Sequence, residues 1–426
     1  APALVTDGEV LSHRELQDRV GSRAASMRDG DEVGRAGSVV PLVVRPDADG
    51  IVDLLAVWRM GRIPAPLNHR LTEPEMVAAK AAMRDASLPS GTQVVLWTSG
   101  TSGRPRGVAL SWANLEASAR AAAERLSLTP DDVWVASLSP AHVGGLALVT
   151  RSLILGSALV VPGAHDAATL SALLDGEGAS FTPTHLSLVP TQLLRILDHR
   201  GDRTAPAELR CVLVGGAHAP ESLVRRALDL GWPLALTYGA TEMSSQIATA
   251  PPEVTRAAPG TVGEPLLGVE VAVDGGGELR ARGPTQALGY VGEGAGTLAD
   301  ADGWYATGDL GRIDEHGRLW ITGRHIDRIV SGGVTVDAVE VEEALRAHPT
   351  VIDACVVGVP DEEWGERVGA WVEPVVGELE LEELERHLRE RLAPAKLPRI
   401  WRTDGALPRN ANGKVDRKAV REALKG

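Results

Sequence analysis

Short apolar runs alternate with helical stretches through the first 250 residues, and few folds accommodate that rhythm. Val39–Val44, residues 63–67, 93–97, 133–138 and 158–161, Cys211–Val214 and residues 234–237 read as short buried strands. Helices are expected at residues 51–60, 114–126, 187–197 and 221–230, with Ser111 a candidate cap for the second. Strands that alternate with helices call for a parallel, doubly wound α/β sheet. The texture changes near residue 260. Runs at 269–273, Glu278–Arg282, 304–306 and 319–322 are separated by glycine-rich turns such as DGGGE and DEHGR, which points to a small β-barrel-like subdomain. Beyond residue 323, helical stretches at 338–347 and 381–392 and strand-like runs at 351–359 and 368–374 suggest a small α+β unit. The expected division is residues 1–323, with the β subdomain at about 260–323, and residues 324–426.

A chain of 426 residues with 44% hydrophobic and 23% charged residues can bury a large core. Only one Phe and three Tyr are present, so Leu, Val and Ala must build most of it. The net charge of −14, without a basic run, argues against nucleic acid as partner. Cys211 and Cys355 each lie in an apolar run and read as buried small hydrophobes, not as a disulfide or zinc framework. No run of 18 apolar residues appears, and the first residues lack a charged segment followed by an apolar one. A soluble, cytoplasmic protein without a membrane span is therefore expected.

Five short motifs carry chemistry. WTSGTSGRPRG at residues 97–107 places Thr98, Ser99, Thr101 and Ser102 around Gly100 and Gly103, with Arg104 and Arg106 following. Such a loop can wrap an oxyanion with hydroxyls and backbone N–H groups, although a polar turn has the same composition. It lacks the spacing of a P-loop NTPase. Thr241 and Glu242, in TYGATEMSSQ, pair a hydroxyl with a carboxylate, which suits Mg²⁺ beside phosphate, although taken alone the pair reads first as a capped helix start. Asp309, in a Thr-Gly-Asp turn, could accept hydrogen bonds from a ribose diol or simply close an Asx turn. His142, in SLSPAHVGG, could line a carboxylate pocket or be a satisfied, partly buried imidazole. Lys414, in LPRNANGKVDRK, stands in a turn where a solvated lysine would be ordinary.

In this order, and across nearly the whole chain, these motifs resemble the acyl-adenylate-forming superfamily of acyl-CoA synthetases, luciferases and peptide-synthetase adenylation domains. The resemblance implies binding of ATP, Mg²⁺ and coenzyme A, and activation of a small carboxylic acid. It makes residues 98–107 a phosphate loop. It lays Gly215, Gly216 and Ala217 along the adenine and the acyl pocket, with Tyr238 and Gly239 beside the adenine. It sets Thr241 on the α-phosphate, Glu242 on the metal, and Asp309 and Arg324 on the ribose. It makes Lys414 the catalytic cation between the acyl carboxylate and the α-phosphate. Gly332 and Gly333, in IVSGGVTVDAVEVE, would line a pantetheine tunnel once a mobile C-terminal unit has turned.

Residues 181–197, LVGGAHAP and YGATEMSSQ look most similar to the o-succinylbenzoate–CoA ligases of menaquinone biosynthesis. That similarity implies an aromatic acid as substrate, with His142 gating it and Ser187, Thr191, Ser244, Ser245 and Gln246 lining its pocket. A homodimer follows from family likeness alone. Other aryl- or acyl-CoA ligases, a carrier-protein acceptor and a non-catalytic nucleotide-binding relative are the alternatives. Three departures stand out. Arg106 replaces a usual lysine, Ile326 stands where the hinge often has an acidic residue with Asp327 next to it, and Ala338 replaces a usual proline.

Overall fold

A computed structural model describes residues 2–6, 8–28, 37–84, 87–98, 106–177, 181–292, 296–324, 328–331, 334–361, 364–375, 379–410 and 413–425. The largest sheet has eight strands. Its parallel centre runs, in spatial order, Leu234–Ala240, Cys211–Val214, His185–Leu188, Val133–Val135, Ala158–Val160 and Pro2–Val5. Ser245–Ala250 and Val10–Ser12 close its two edges antiparallel. These strands are short and apolar because helices cover the sheet. The Val143–Leu155 helix packs in one cluster with Trp134, while the Pro190–Arg200 and Glu221–Asp229 helices pack with Val135 and Val212 in another. Val39–Val44 and Ile63–Asn68 form a separate parallel pair. Cys211 and Cys355 are buried, as their apolar runs imply.

Two local expectations are corrected, and one strand appears that was not expected. Arg106–Ser111 stands between the glycine-rich loop and the next helix and pairs antiparallel with Thr92–Thr98. Ser111 then caps the Trp112–Leu126 helix through a reciprocal bond with Asn114. Ser187 lies in the strand His185–Leu188, and its helix starts only at Pro190, a residue that favours the first helical position. The strand expected at 304–306 continues as Tyr305–Ile313, so Asp309 sits within a strand, just before a register shift between Leu310 and Gly311.

The glycine-rich β region forms a four-stranded antiparallel sheet in the order Glu270–Val273, Glu278–Arg282, Tyr305–Ile313 and Leu319–Arg324. Farther along, Val334–Asp337, Arg328–Ser331, Gly365–Pro374 and Val351–Asp361 make a second antiparallel sheet, with Ile400–Arg402 added in parallel. The Ala338–Arg346 and Leu381–Arg389 helices cover it through Val341, Leu345, Leu384 and Leu388. Among the described residues, no helix is long and apolar enough to cross a membrane.

Candidate active site

Four of the expected site residues follow the parallel strands at their carboxyl ends. His142 follows Val133–Val135, Thr191 follows His185–Leu188, Gly215 follows Cys211–Val214, and Thr241 follows Leu234–Ala240. In open α/β sheets this edge is where ligands bind, because the connecting loops diverge there.

The reversal after Leu234–Ala240 is unusually tight. Thr241–Met243 makes one 3₁₀ turn, and Ser244 and Ser245 follow at φ 54° and 116°, both in left-handed space. A side chain on Gly239 would meet the Ser245 carbonyl at 1.7 Å, so only glycine permits the return strand to approach. The Ser244 hydroxyl donates to the Thr285 carbonyl at 2.7 Å, and its carbonyl accepts from Ser118 at 2.8 Å. This anchoring fixes Thr241 and Glu242 half-buried at the sheet edge.

Glu242 accepts a hydrogen bond from the Tyr290 hydroxyl at 3.2 Å. Arg106 lies over the Tyr290 ring, 5.5 Å from its centroid. Burial, followed by the Glu242 charge, pushes the Tyr290 hydroxyl above its ordinary value, so it stays a donor. Thr98 and Arg106 are cross-strand partners and pin the two ends of the glycine-rich loop beside this group. Ser99, Gly100, Thr101, Ser102 and Gly103 lie outside the described residues, as do Arg104, Ile326, Asp327, Gly332 and Gly333.

Asp309 is buried and faces Arg324 across two antiparallel strands, with an ion pair of 2.7 Å. Tyr238 donates to its other oxygen at 2.8 Å. Burial and then the Asp309 charge hold Tyr238 well above its usual value, so the phenol keeps its proton. A carboxylate has lone pairs enough to hold both groups and still accept from a diol.

Lys414 stands in the turn before the Arg417–Ala423 helix. Asn410 ties its turn by accepting from the Lys414 N–H at 3.1 Å and donating its own N–H to the Lys414 carbonyl at 2.8 Å. Arg409 donates to the Gly413 carbonyl at 3.3 Å and to Asp353 at 2.7 Å. The lysine side chain is open to solvent and, among the described residues, its Nζ makes no hydrogen bond or ion pair. The charges of the Asp309–Arg324 pair nevertheless act on it. Desolvation and the Arg324 charge pull its ammonium below its ordinary value, and Asp309 opposes them.

On the acid side, His142 stands at the N-cap position of the Val143–Leu155 helix without a side-chain capping bond, and bonds Asn68 at 3.0 Å. Asn68 Oδ1 accepts from the Arg70 N–H, so its amide nitrogen donates to His142 Nε2 and the imidazole proton falls on Nδ1. Ser187 is buried with its carbonyl bonded to the Ser137 hydroxyl, and Thr191 is half-buried in the next helical turn. Gln246 is buried, its carbonyl held by Arg151 at 2.7 Å and its amide by Thr249 at 2.7 Å.

Arg151, Tyr290 and Asn68 were not singled out by sequence reasoning. Arg151 has the clearest signal, an arginine in the otherwise apolar helix VGGLALVTRSLIL. It is fully buried, lies 5.1 Å from the Trp134 ring centroid, and leaves Nε and Nη1 without hydrogen bonds among the described residues. Desolvation pulls it down to about 10.

Residues 82–291 match the family model for AMP-binding enzyme, and residues 340–414 match the AMP-binding enzyme C-terminal domain. The 2-succinylbenzoate–CoA ligase of Bacillus mycoides is 36% identical over 356 residues, 81% of this chain and 73% of the relative. The Bacillus cytotoxicus enzyme of the same name is 35% identical over 392 residues, 86% and 80%. Among solved structures, the o-succinylbenzoate CoA synthetase MenE of Bacillus subtilis, complexed with the acyl-adenylate intermediate OSB-AMP, aligns with a TM-score of 0.88. It is 27% identical, with 100% of this chain and 96% of that one covered. ATP-bound MatB from Rhodopseudomonas palustris aligns with a TM-score of 0.87 at 26% identity and the same coverage.

Proposed function

The chain belongs to the AMP-binding enzyme family, and from that membership we propose that it is an AMP-forming ligase joining 2-succinylbenzoate to coenzyme A. The observation that carries this reading is the buried Asp309 carboxylate, held by Arg324 at 2.7 Å and by Tyr238 at 2.8 Å from the strand that leads to Thr241 and Glu242. The reading includes a division at residue 323 into a nucleotide-binding unit and a mobile unit that carries the lysine.

In the first step an acid carboxylate oxygen bonds to the α-phosphorus of ATP. The α–β P–O bond breaks, and pyrophosphate leaves with the electron pair. Two anions must approach, so the step depends on fixed positive charge. Lys414 spans the carboxylate and the α-phosphate, and Arg106 with the glycine-rich loop holds the leaving phosphates. Asp309 and Arg324 orient the ribose, and Tyr238 flanks the adenine. Glu242, oriented by Tyr290, has the chemistry to hold Mg²⁺, which supplies charge neutralisation at phosphate oxygens. In the second step the CoA sulfur, having lost its proton to solvent, attacks the acyl carbonyl and AMP leaves. Lys414 must withdraw for this, so the C-terminal unit turns between the steps.

An acid with two carboxylates suits the acyl side. One reacts, and the other would meet Arg151, a buried cation with donors to spare beside Gln246. The test is ATP–pyrophosphate exchange with 2-succinylbenzoate against benzoate and medium-chain acids, followed by thioester detection with CoA. No exchange with 2-succinylbenzoate, alongside exchange with another acid, would overturn the substrate assignment.

A further inference from the structure

His218 belongs to the loop Gly215–Gly216–Ala217–His218, which leaves the strand Cys211–Val214 at the site edge. Both ends of this loop are anchored. Gly215 lies against Thr237, next to Tyr238, and Ala219 packs on the core beneath. His218 Nε2 meets Glu343 Oε1 at 2.8 Å. Glu343 lies on the Ala338–Arg346 helix of the C-terminal unit, so this bond joins the two units.

The same helix touches the N-terminal unit at its start as well. The Asp337 carboxylate lies 3.0 Å from where a side chain on Gly323 would begin, one residue before Arg324. One contact leaves a pivot, whereas two contacts more than a helical turn apart fix an orientation. From this helix a chain of ion pairs runs to the lysine turn. Glu342 and Asp353 both pair with Arg346, and Asp353 pairs with Arg409, which holds the Gly413 carbonyl. The hydrogen bond from His218 also holds the Glu343 carboxyl below its ordinary value.

We propose that His218 is a positioning residue for the first half-reaction: its bond to Glu343 clasps the C-terminal unit in the orientation that presents Lys414 to the Asp309–Arg324 pair. The clasp rests on the two-step reading above. It must open for the second step, so its loss penalises adenylation alone. Both partners are partly exposed, at 37% and 42%, so the effect is moderate, roughly three- to fivefold.

The test measures ATP–pyrophosphate exchange, and separately thioester formation from supplied acyl-adenylate and CoA. The proteins are wild type, His218→Ala, Glu343→Gln, the double variant and His218→Lys, with thermal unfolding as a check on folding. Each of the first two variants should lower exchange roughly three- to fivefold. The double variant should be no slower than the worse single one, and His218→Lys should recover most of the loss by restoring a donor to Glu343. Thioester formation should be unchanged or faster. Equal loss in both half-reactions, additive singles, or unchanged exchange would overturn the clasp while the ligase reading stands. A wild-type protein silent in exchange with every acid would overturn both.

Discussion

Asp309 and Arg324 are cross-strand partners that close a 2.7 Å ion pair, and Tyr238 reaches the same carboxylate from a different sheet at 2.8 Å. Three residues from three strands thus converge on one buried carboxylate. Asp309→Asn keeps the shape but removes the charge that holds both neighbours. The KM for ATP should rise roughly 10- to 100-fold, the range for a lost hydrogen bond to a charged group. An unchanged KM in an ATP titration would remove Asp309 from the nucleotide site.

Lys414→Ala should slow adenylation on the order of 10²–10³-fold, the cost of deleting one fixed electrostatic stabiliser. Thioester formation from supplied acyl-adenylate should stay within a few-fold of wild type. Equal losses in the two assays would refute the division of labour between the half-reactions.

Arg106 stacks over Tyr290 at 5.5 Å, a contact that a planar guanidinium makes well. Arg106→Lys keeps the charge, and the exchange rate should stay within about fivefold of wild type. Arg106→Met loses the charge too and should fall well below the lysine variant. Equal rates for Lys and Met would mean that stacking, not charge, is what the loop needs.

Arg151→Met should raise the KM for 2-succinylbenzoate roughly tenfold or more by removing a charged donor, and leave the KM for ATP in place. The variant also leaves the buried Gln246 carbonyl without the Arg151 donor, at a cost of about 1–3 kcal/mol, so thermal unfolding accompanies the assay. Parallel increases in both constants would point to a structural role.

Burial raises the Asp353 carboxyl, but Arg346 and Arg409 outweigh it and leave it below its ordinary value. A depressed folded-state value contributes stability above the unfolded value, near pH 4, that is lost as pH falls through the lower folded value. Asp353→Asn should therefore destabilise at pH 7 by about 3 kcal/mol and converge on wild type in strong acid. Denaturant unfolding at both pH values checks this, and a gap that persists in acid would contradict the linkage.

The pairing of Thr241 with Glu242 at the sheet edge was legible because the two adjoin in the chain. Four of the six parallel strands of the large sheet were legible as apolar runs, since a strand buried on both faces has few polar positions, whereas Pro2–Val5 and His185–Leu188 were not. Asn68 and His142 show where legibility stops. They are 74 residues apart, and nothing in either segment announces the other.

By itself, the sequence determined the alternating strands and helices, the order of the motifs and the residue types able to handle phosphate, metal and ribose. Tertiary structure alone decided that Tyr290 bridges Glu242 and Arg106, that Arg151 is buried against Gln246, and that His218 reaches Glu343. Periodicity records which face of an element is buried. Which side chains meet depends on strand register and on how separate sheets and helices pack, and those are properties of the whole folded chain.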